Sequence, residues 1–213
     1  MSVAILVPVL NRPAAVQPLL ENIAATTHAP HRVLFITDES DTAERQAIAA
    51  AGGQELVVNA GYPGKINAGA AATSEPYVFL GADDLKFHDG WLTEALRWAG
   101  PRIGVIGTND LGNRRVLAGS HATHSLVARW YVERGTIDEP GLVLHPGYDH
   151  NFCDDELVAT AKHRKAWTLA RDSIVEHLHP NWGKGTDDET YRRGMRRFRR
   201  DRDLFYRRSA LWT

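Results

Sequence analysis

The 213 residues predict an α/β chain in which a Rossmann-like, doubly wound and mainly parallel sheet is fused to a smaller mixed-sheet half. Three observations carry this. Short apolar runs alternate with amphipathic or alanine-rich segments up to about residue 108. Glycine, proline or acidic residues punctuate the junctions. Beyond residue 108 the regular alternation is lost, yet no Pro/Gly/Ser-rich linker divides the halves. The expectation is one domain over 1–213: a ligand-binding half (1–108), a second half (109–191) and an arginine-rich C-terminal helix (192–213).

In order, Val3–Val9 reads as a buried strand and Pro13–Thr26 as a helix with proline in its first turn. Arg32–Thr37 is a second strand, and an alanine-rich helix from Thr42 to Ala51 ends at Gly52-Gly53. Glu55–Asn59 is a strand, Pro63–Thr73 a helix, Tyr77–Leu80 a strand, Gly90–Ala99 a helix and Ile103–Gly107 a fifth strand. In the second half, short strands are expected at Arg115–Ala118, Ala122–Leu126 and Trp167–Ala170, with helices at Ala128–Arg134 and Asp155–Arg164. Parallel sheets bind ligands beyond the carboxyl ends of their strands, which directs attention to the loops after Val9, Thr37, Asn59 and Leu80.

Composition narrows the function class. The single cysteine, Cys153, excludes an internal disulfide and suits a reducing cytoplasm. Ser2–Leu10 has no basic flank and is too short to span a bilayer, and no other segment is apolar enough. A net charge of −1 conceals an asymmetry: residues 192–208 hold nine arginines against Asp201 and Asp203, leaving 16 basic and 24 acidic residues before them. Such a tail attracts polyanions, nucleic acid among them, or the chain's own acidic body.

Three loops carry candidate chemistry. Asp38, in Thr37-Asp38-Glu39-Ser40-Asp41, leaves a strand end where a carboxylate can accept from a base or ribose; Ser40 or Asp41 can equally cap the next helix. Lys65, in Asn59-Ala60-Gly61-Tyr62-Pro63-Gly64-Lys65, stands in a first helical turn whose dipole opposes a cation, so an anion is expected opposite it. Neither a GxGxxG nor a Walker A pattern occurs. Asp83 and Asp84, directly after the apolar run Val78-Phe79-Leu80, need solvent, partners or a hard divalent cation such as Mg²⁺ or Mn²⁺.

Taken in order, Val3–Arg12, the Asp38–Asp41 loop, Lys65-Ile66-Asn67-Ala68-Gly69 and Phe79-Leu80-Gly81-Ala82-Asp83-Asp84 resemble the family 2 glycosyltransferases of GT-A fold, over roughly residues 3 to 180. The resemblance implies that Pro8 and Arg12 flank a nucleotide, Asp38 meets its base, Lys65 lies near the ribose or diphosphate with Asn67 in the same binding set, and Asp83 holds the metal. Gly81 stands where the first acid of the family's Asp-x-Asp motif would be, and Asp84 is the candidate replacement for the ribose contact.

The likeness extends further. Ser120–Arg129 resembles the acceptor-side strand and short helix, and His150–Leu157 the segment supplying the catalytic base. Aligning Leu157 makes Asp154 the base, with Asp155 as alternative and Cys153 where Glu is common. The chemistry requires a carboxylate to take the acceptor's proton, although acids opening a helix are also favoured by its dipole. His177 and His179, in His177-Leu178-His179, have a spacing compatible with a shared metal. Asn181–Tyr191 resembles a glycine-hinged loop in which Trp182 can stack on a sugar and Lys184 reach a diphosphate. The implied reaction is inverting transfer from a nucleotide-sugar, UDP-linked by preference with GDP and dTDP open, to an acceptor that is DNA, a glycan, a protein or a lipid-linked group. Alternatives are a nucleotidyltransferase, whose Lys/Arg signature loop is absent after the first strand, and a non-catalytic binder of nucleotide-sugar or nucleic acid.

Overall fold

Six consecutive buried residues, Val3–Pro8, form β1 in the interior of an eight-stranded sheet, where both faces are covered and no polar alternation is needed. The computed structural model describes residues 1–212. β1 is followed by α1 (Pro13–Thr26), β2 (His31–Thr37), α2 (Thr42–Ala50), β3 (Gln54–Val57), α3 (Tyr62–Ala71) and β4 (Tyr77–Leu80). These four strands are parallel, in the order β3-β2-β1-β4. Val16, Leu19 and Ile23 bury one stripe of α1. Gly69 lets α3 approach the sheet: a Cβ there would meet Ile36 Cδ1 at 2.6 Å.

The remaining elements are β5 (Leu85–Phe87), α4 (Trp91–Leu96), β6 (Val105–Asn109), α5 (Arg114–Leu117), β7 (Ser125–Ala128), α6 (Arg129–Arg134), α7 (Cys153–His163), β8 (Trp167–His177) and α8 (Glu189–Arg208). They extend the same sheet as β4-β7-β6-β8-β5, so the two expected halves share one mixed sheet. β7 runs antiparallel to both β4 and β6, β6 parallel to β8, and β5 antiparallel to β8. Trp91, Phe79 and Phe87 pack together at ring separations of 4.7–5.8 Å in a core that is continuous across the sheet.

Four expectations are corrected, and one strand, β5, was not expected. The run at Arg115–Ala118 is helical, because the Asn113 side chain caps it by accepting from Arg115 N at 2.9 Å. β5, with three residues, is too short to show a period of two. β8 continues to His177, past the exposed Arg171 and Asp172 that break its apolar run. The strand expected at Ile103–Gly107 is β6, two residues later, and it pairs with β7 and β8 instead of extending the parallel series. The C-terminal helix begins at Glu189, before the expected Arg192, because Asp188 caps it; Thr213 lies outside the described residues.

Candidate active site

The strand ends of the parallel series, the N-terminus of α7 and the inner face of α8 enclose a cavity of about 640 Å³. Of the sequence-predicted residues, Pro8, Arg12, Asp38, Lys65, Asp83, Asp84, Asp154, Asp155, His177, His179 and Trp182 all line it.

Its floor is set by the β1–α1 loop. Asn11 adopts φ 56°, a left-handed conformation that asparagine tolerates. The Asp41 carboxylate, while capping α2, accepts from Asn11 N at 2.7 Å, and buried Glu44 accepts from Arg12 N at 2.7 Å. So held, the Arg12 guanidinium donates to Asp83 Oδ1 at 2.7 Å and, in a bidentate pair, to Asp188 at 2.7 and 3.1 Å. It also lies 3.4 Å from Asp84 Oδ2 and 4.6 Å from the centre of the Tyr191 ring. Asp41 is thus the helix cap, one of the alternatives left open by the sequence, and Arg12 is the cation that the two acids required.

Asp84 Oδ2 additionally accepts from Tyr191 Oη at 2.5 Å and faces His177 Nε2 at 3.3 Å. Burial acts to raise the Asp84 pKa, but the His177 and Tyr191 bonds and Arg12 outweigh it and hold this carboxyl well below the usual range. Burial and the Asp84 charge raise Asp83 to about 7, against the pull of Arg12. The expected metal set is therefore divided: His177 reaches Asp84, while His179 Nδ1 accepts from Asn181 N at 3.1 Å, with its ring 5.1 Å from that of His177. The donor types here suit a hard divalent cation, with Arg12 now on Asp83. Two adjacent buried carboxylates stand beside an imidazole, and Asp84 Oδ1 and His177 Nδ1 are buried without a partner. Among the described residues, the donors that already lie within 4.8 Å of one another are those of His121, Asp154 and Asp155.

Lys65 donates to Val9 O at 2.9 Å and to Asp38 at 3.2 Å, so the anion expected opposite it is the chain's own. Three predicted residues do not reach the cavity. Asn67 is buried and exchanges two hydrogen bonds with the Leu144 backbone, at 2.7 and 3.0 Å. Lys184 pairs with Glu176 at 2.6 Å and Leu111 O at 3.2 Å. Gly81 is packed against β1, where a Cβ would sit 2.8 Å from Leu6 O, which leaves no room for the first acid of an Asp-x-Asp motif. Gly81→Ala is expected to lower stability by about 1–3 kcal/mol through overpacking against backbone; an unchanged thermal melt would contradict this.

The opposite wall carries the acidic first turn of α7. Phe152, at φ 64°, turns the chain into α7, whose first turn presents Asp154, Asp155 and Glu156 to its own dipole. Asp154 faces the buried His121 Nε2 at 3.2 Å, and Asp155 is paired with Arg115 at 2.7 Å. Burial acts to raise Asp154, but the hydrogen bond and charge of His121 outweigh it and lower its pKa, whereas burial and the Asp154 charge raise Asp155. Cys153 is buried, and burial pushes its thiol up, which disfavours the thiolate.

Sequence reasoning did not assign roles to His121, His124, Tyr62, His150 or Tyr191, which also line the cavity. Only the clustering of histidines in Ser120–Ser125 was a usable signal. His124 is buried, with Nδ1 2.9 Å from Leu80 O. Burial, reinforced by the charge of His177, depresses its pKa to about 4. The unfolded chain takes up a proton below about pH 6.5 that folded His124 refuses. Stability conferred by neutral His124 is therefore intact above pH 6.5 and is lost as pH falls towards 4, by about 3 kcal/mol in all. Urea melts of the wild type and His124→Asn should diverge across that window; parallel pH profiles would refute the assignment.

The sequence profile described as "Glycosyl transferase family 2" matches residues 4–151. No curated protein sequence matches the chain. Among solved structures, it is similar to a mannosyltransferase from Pyrobaculum calidifontis in complex with GDP-Man and Mn²⁺, with TM-score 0.66 and 16% identity. The match covers 85% of this chain and 58% of that one, so the chain spans less than two thirds of the mannosyltransferase. It is also similar to glucosyl-3-phosphoglycerate synthase from Mycobacterium tuberculosis in complex with Mn²⁺, UDP and glucosyl-3-phosphoglycerate. There the TM-score is 0.60 and the identity 15%, over 84% of this chain and 72% of that one. Both likenesses establish the fold, with its mixed sheet, as that of GT-A glycosyltransferases.

Proposed function

The chain belongs to glycosyl transferase family 2, and on that premise we propose that it transfers a sugar from a nucleotide-sugar to an acceptor hydroxyl with inversion, Asp154 acting as general base. The observation that carries this reading is a single cavity with two chemically distinct walls: Arg12, Asp83, Asp84 and His177 on one side, and the His121–Asp154 pair on the other.

Pro8, Arg12 and Asp38 border the nucleotide, with Asp38 oriented by Lys65. Asp83, Asp84 and His177 are the residues that would hold Mn²⁺ or Mg²⁺. Bound there, the ion supplies charge neutralisation for the diphosphate leaving group. Asp154 takes the proton from the acceptor hydroxyl as its oxygen forms a bond to the anomeric carbon. The bond from that carbon to the diphosphate breaks on the opposite face, and nucleoside diphosphate leaves with the electron pair. Asp154 suits the task better than Asp155 because its side chain is 27% exposed against 12%, and Arg115 holds Asp155 by a direct ion pair. His121 keeps the Asp154 carboxylate in place from below. Phe152 and Trp182 line the space left for the sugars, where aromatic faces favour them over water.

The test is thermal stability against UDP, GDP, dTDP and CDP, each with and without Mn²⁺. Ligands that bind only the folded state raise its apparent stability. A metal-dependent shift for one nucleotide, lost in both Asp83→Ala and Asp84→Ala, is the expected result. No shift with any of the four would defeat the donor assignment, and nucleotide binding without turnover in the presence of candidate acceptors would favour a non-catalytic binder.

A further inference from the structure

We propose that Arg193 and Arg197 on the inner edge of α8 bind an anionic group, phosphate in kind, carried by a small acceptor. The inference rests on the glycosyltransferase reading above and supplies its substrate class.

The arginines of α8 divide by what they touch. Arg196 and Arg202 are paired with Glu189 and Asp203 along the helix itself, and Arg192 with Asp187 just before it. Arg200 pairs with Asp149, and Arg208 with Asp138 and Glu156 at 2.8 Å each, which fasten α8 to the body. Only Arg193 and Arg197 line the cavity. Arg193 has no carboxylate within ion-pairing distance among the described residues, and Arg197 has only Asp149 at 3.9 Å, an acid already held by Arg200.

Two like charges at i and i+4 repel, so the pairing of Arg193 with Arg197 on one face is not favoured by the two arginines themselves. Gly194 lies between them over His150, with no side chain to block the wall they form.

Position separates this anion from the donor's: Arg197 and Gly194 lie against Asp149 and His150, which lead into the α7 wall that carries Asp154. Arg12 is neutralised by Asp83, Asp84 and Asp188, and Lys65 by Asp38. Arg193 remains without a carboxylate partner among the described residues and Arg197 has only Asp149 at 3.9 Å; both are exposed and line the same cavity as Asp154. Guanidinium groups favour phosphate over neutral hydroxyls. A recess of about 640 Å³ beside α8 has the volume for a small phosphorylated molecule and not for duplex DNA.

The probe is inorganic phosphate, titrated calorimetrically into the free protein and into protein saturated with UDP and Mg²⁺, alongside Arg193→Gln/Arg197→Gln. As a control of equal charge loss, Arg199→Gln/Arg207→Gln alters two arginines that do not line the cavity. Phosphate is expected to bind both forms of the wild type, to bind the inner-edge double variant at least about tenfold more weakly, and to bind the control normally. UDP affinity should stay within about twofold in all variants. Loss of UDP affinity in Arg193→Gln/Arg197→Gln, with UDP displacing phosphate from the wild type, would overturn the proposal and assign the pair to the donor diphosphate. Absent phosphate binding, or equal losses in both double variants, would also overturn it. So would a short DNA duplex that binds through the inner pair and displaces phosphate. Should UDP fail to bind at all, the donor reading falls separately, and phosphate binding to the free protein still judges the arginine pair.

Discussion

Asp154→Asn is expected to lower turnover by about 10²–10⁴-fold while leaving metal-dependent nucleotide binding unchanged. The amide preserves the shape of the carboxylate and can still meet His121 Nε2, now 3.2 Å away, but it cannot accept the acceptor's proton. Asp155→Asn should cost much less, since Arg115 already neutralises that acid at 2.7 Å. The pair of variants is the decisive comparison, because both remove one negative charge from the same helical turn. Transfer assayed as release of nucleoside diphosphate provides the readout. If Asp155→Asn proved the more damaging, the base would have to be reassigned. If neither mattered, the wall formed by α7 would not be catalytic.

The largest effect on stability is expected from Asp201→Ala, about 3–5 kcal/mol. Asp201 is the one acid of α8 with no solvent exposure, and it accepts from the backbone N–H groups of Asp149, His150 and Asn151 at 3.1, 3.0 and 2.9 Å. Truncation leaves three donors without an acceptor beneath a helix that covers them. The same loop leads into Phe152 and hence into the first turn of α7, while Phe152 stacks on Phe205 at 5.7 Å. The substitution should therefore detach α8 and disorder the approach to Asp154 together. Urea unfolding measures the first consequence, and hydrogen exchange at residues 149–152 the second. A loss below about 1 kcal/mol with unchanged exchange would mean that α8 is held elsewhere, through Arg208 and its partners.

Much of this arrangement was written locally. Val3–Pro8 announces an interior strand because all six residues are apolar, and all six are buried. Pro13 begins α1, and the cap at Asp41 begins α2, from interactions within a few residues. Asp83 and Asp84 stand out because paired acids after an apolar strand require a partner, and the strand-end rule places them at the ligand side of the sheet. The family resemblance rests on those same segments.

What the chain could not disclose depends on contacts between distant residues. The sequence marks Arg12 and Asp84 as candidates, but their joining through Asp188 and Tyr191 spans separations of 176 and 107 residues. Lys65 announces a missing anion without saying that Asp38, 27 residues before it, supplies it. Lys184 has the composition of a diphosphate ligand, yet the register of β8 places Glu176 beside it. The arginine run of α8 reads as one uniform basic face. Only docking on Asp201 separates the arginines that bind the chain's own acids from Arg193 and Arg197, which face the cavity. Local sequence settles backbone propensity and burial, because those act over one or two turns. Charge pairing is settled by packing, because a side chain binds whichever partner the sheet order and the helix docking bring within about 3 Å.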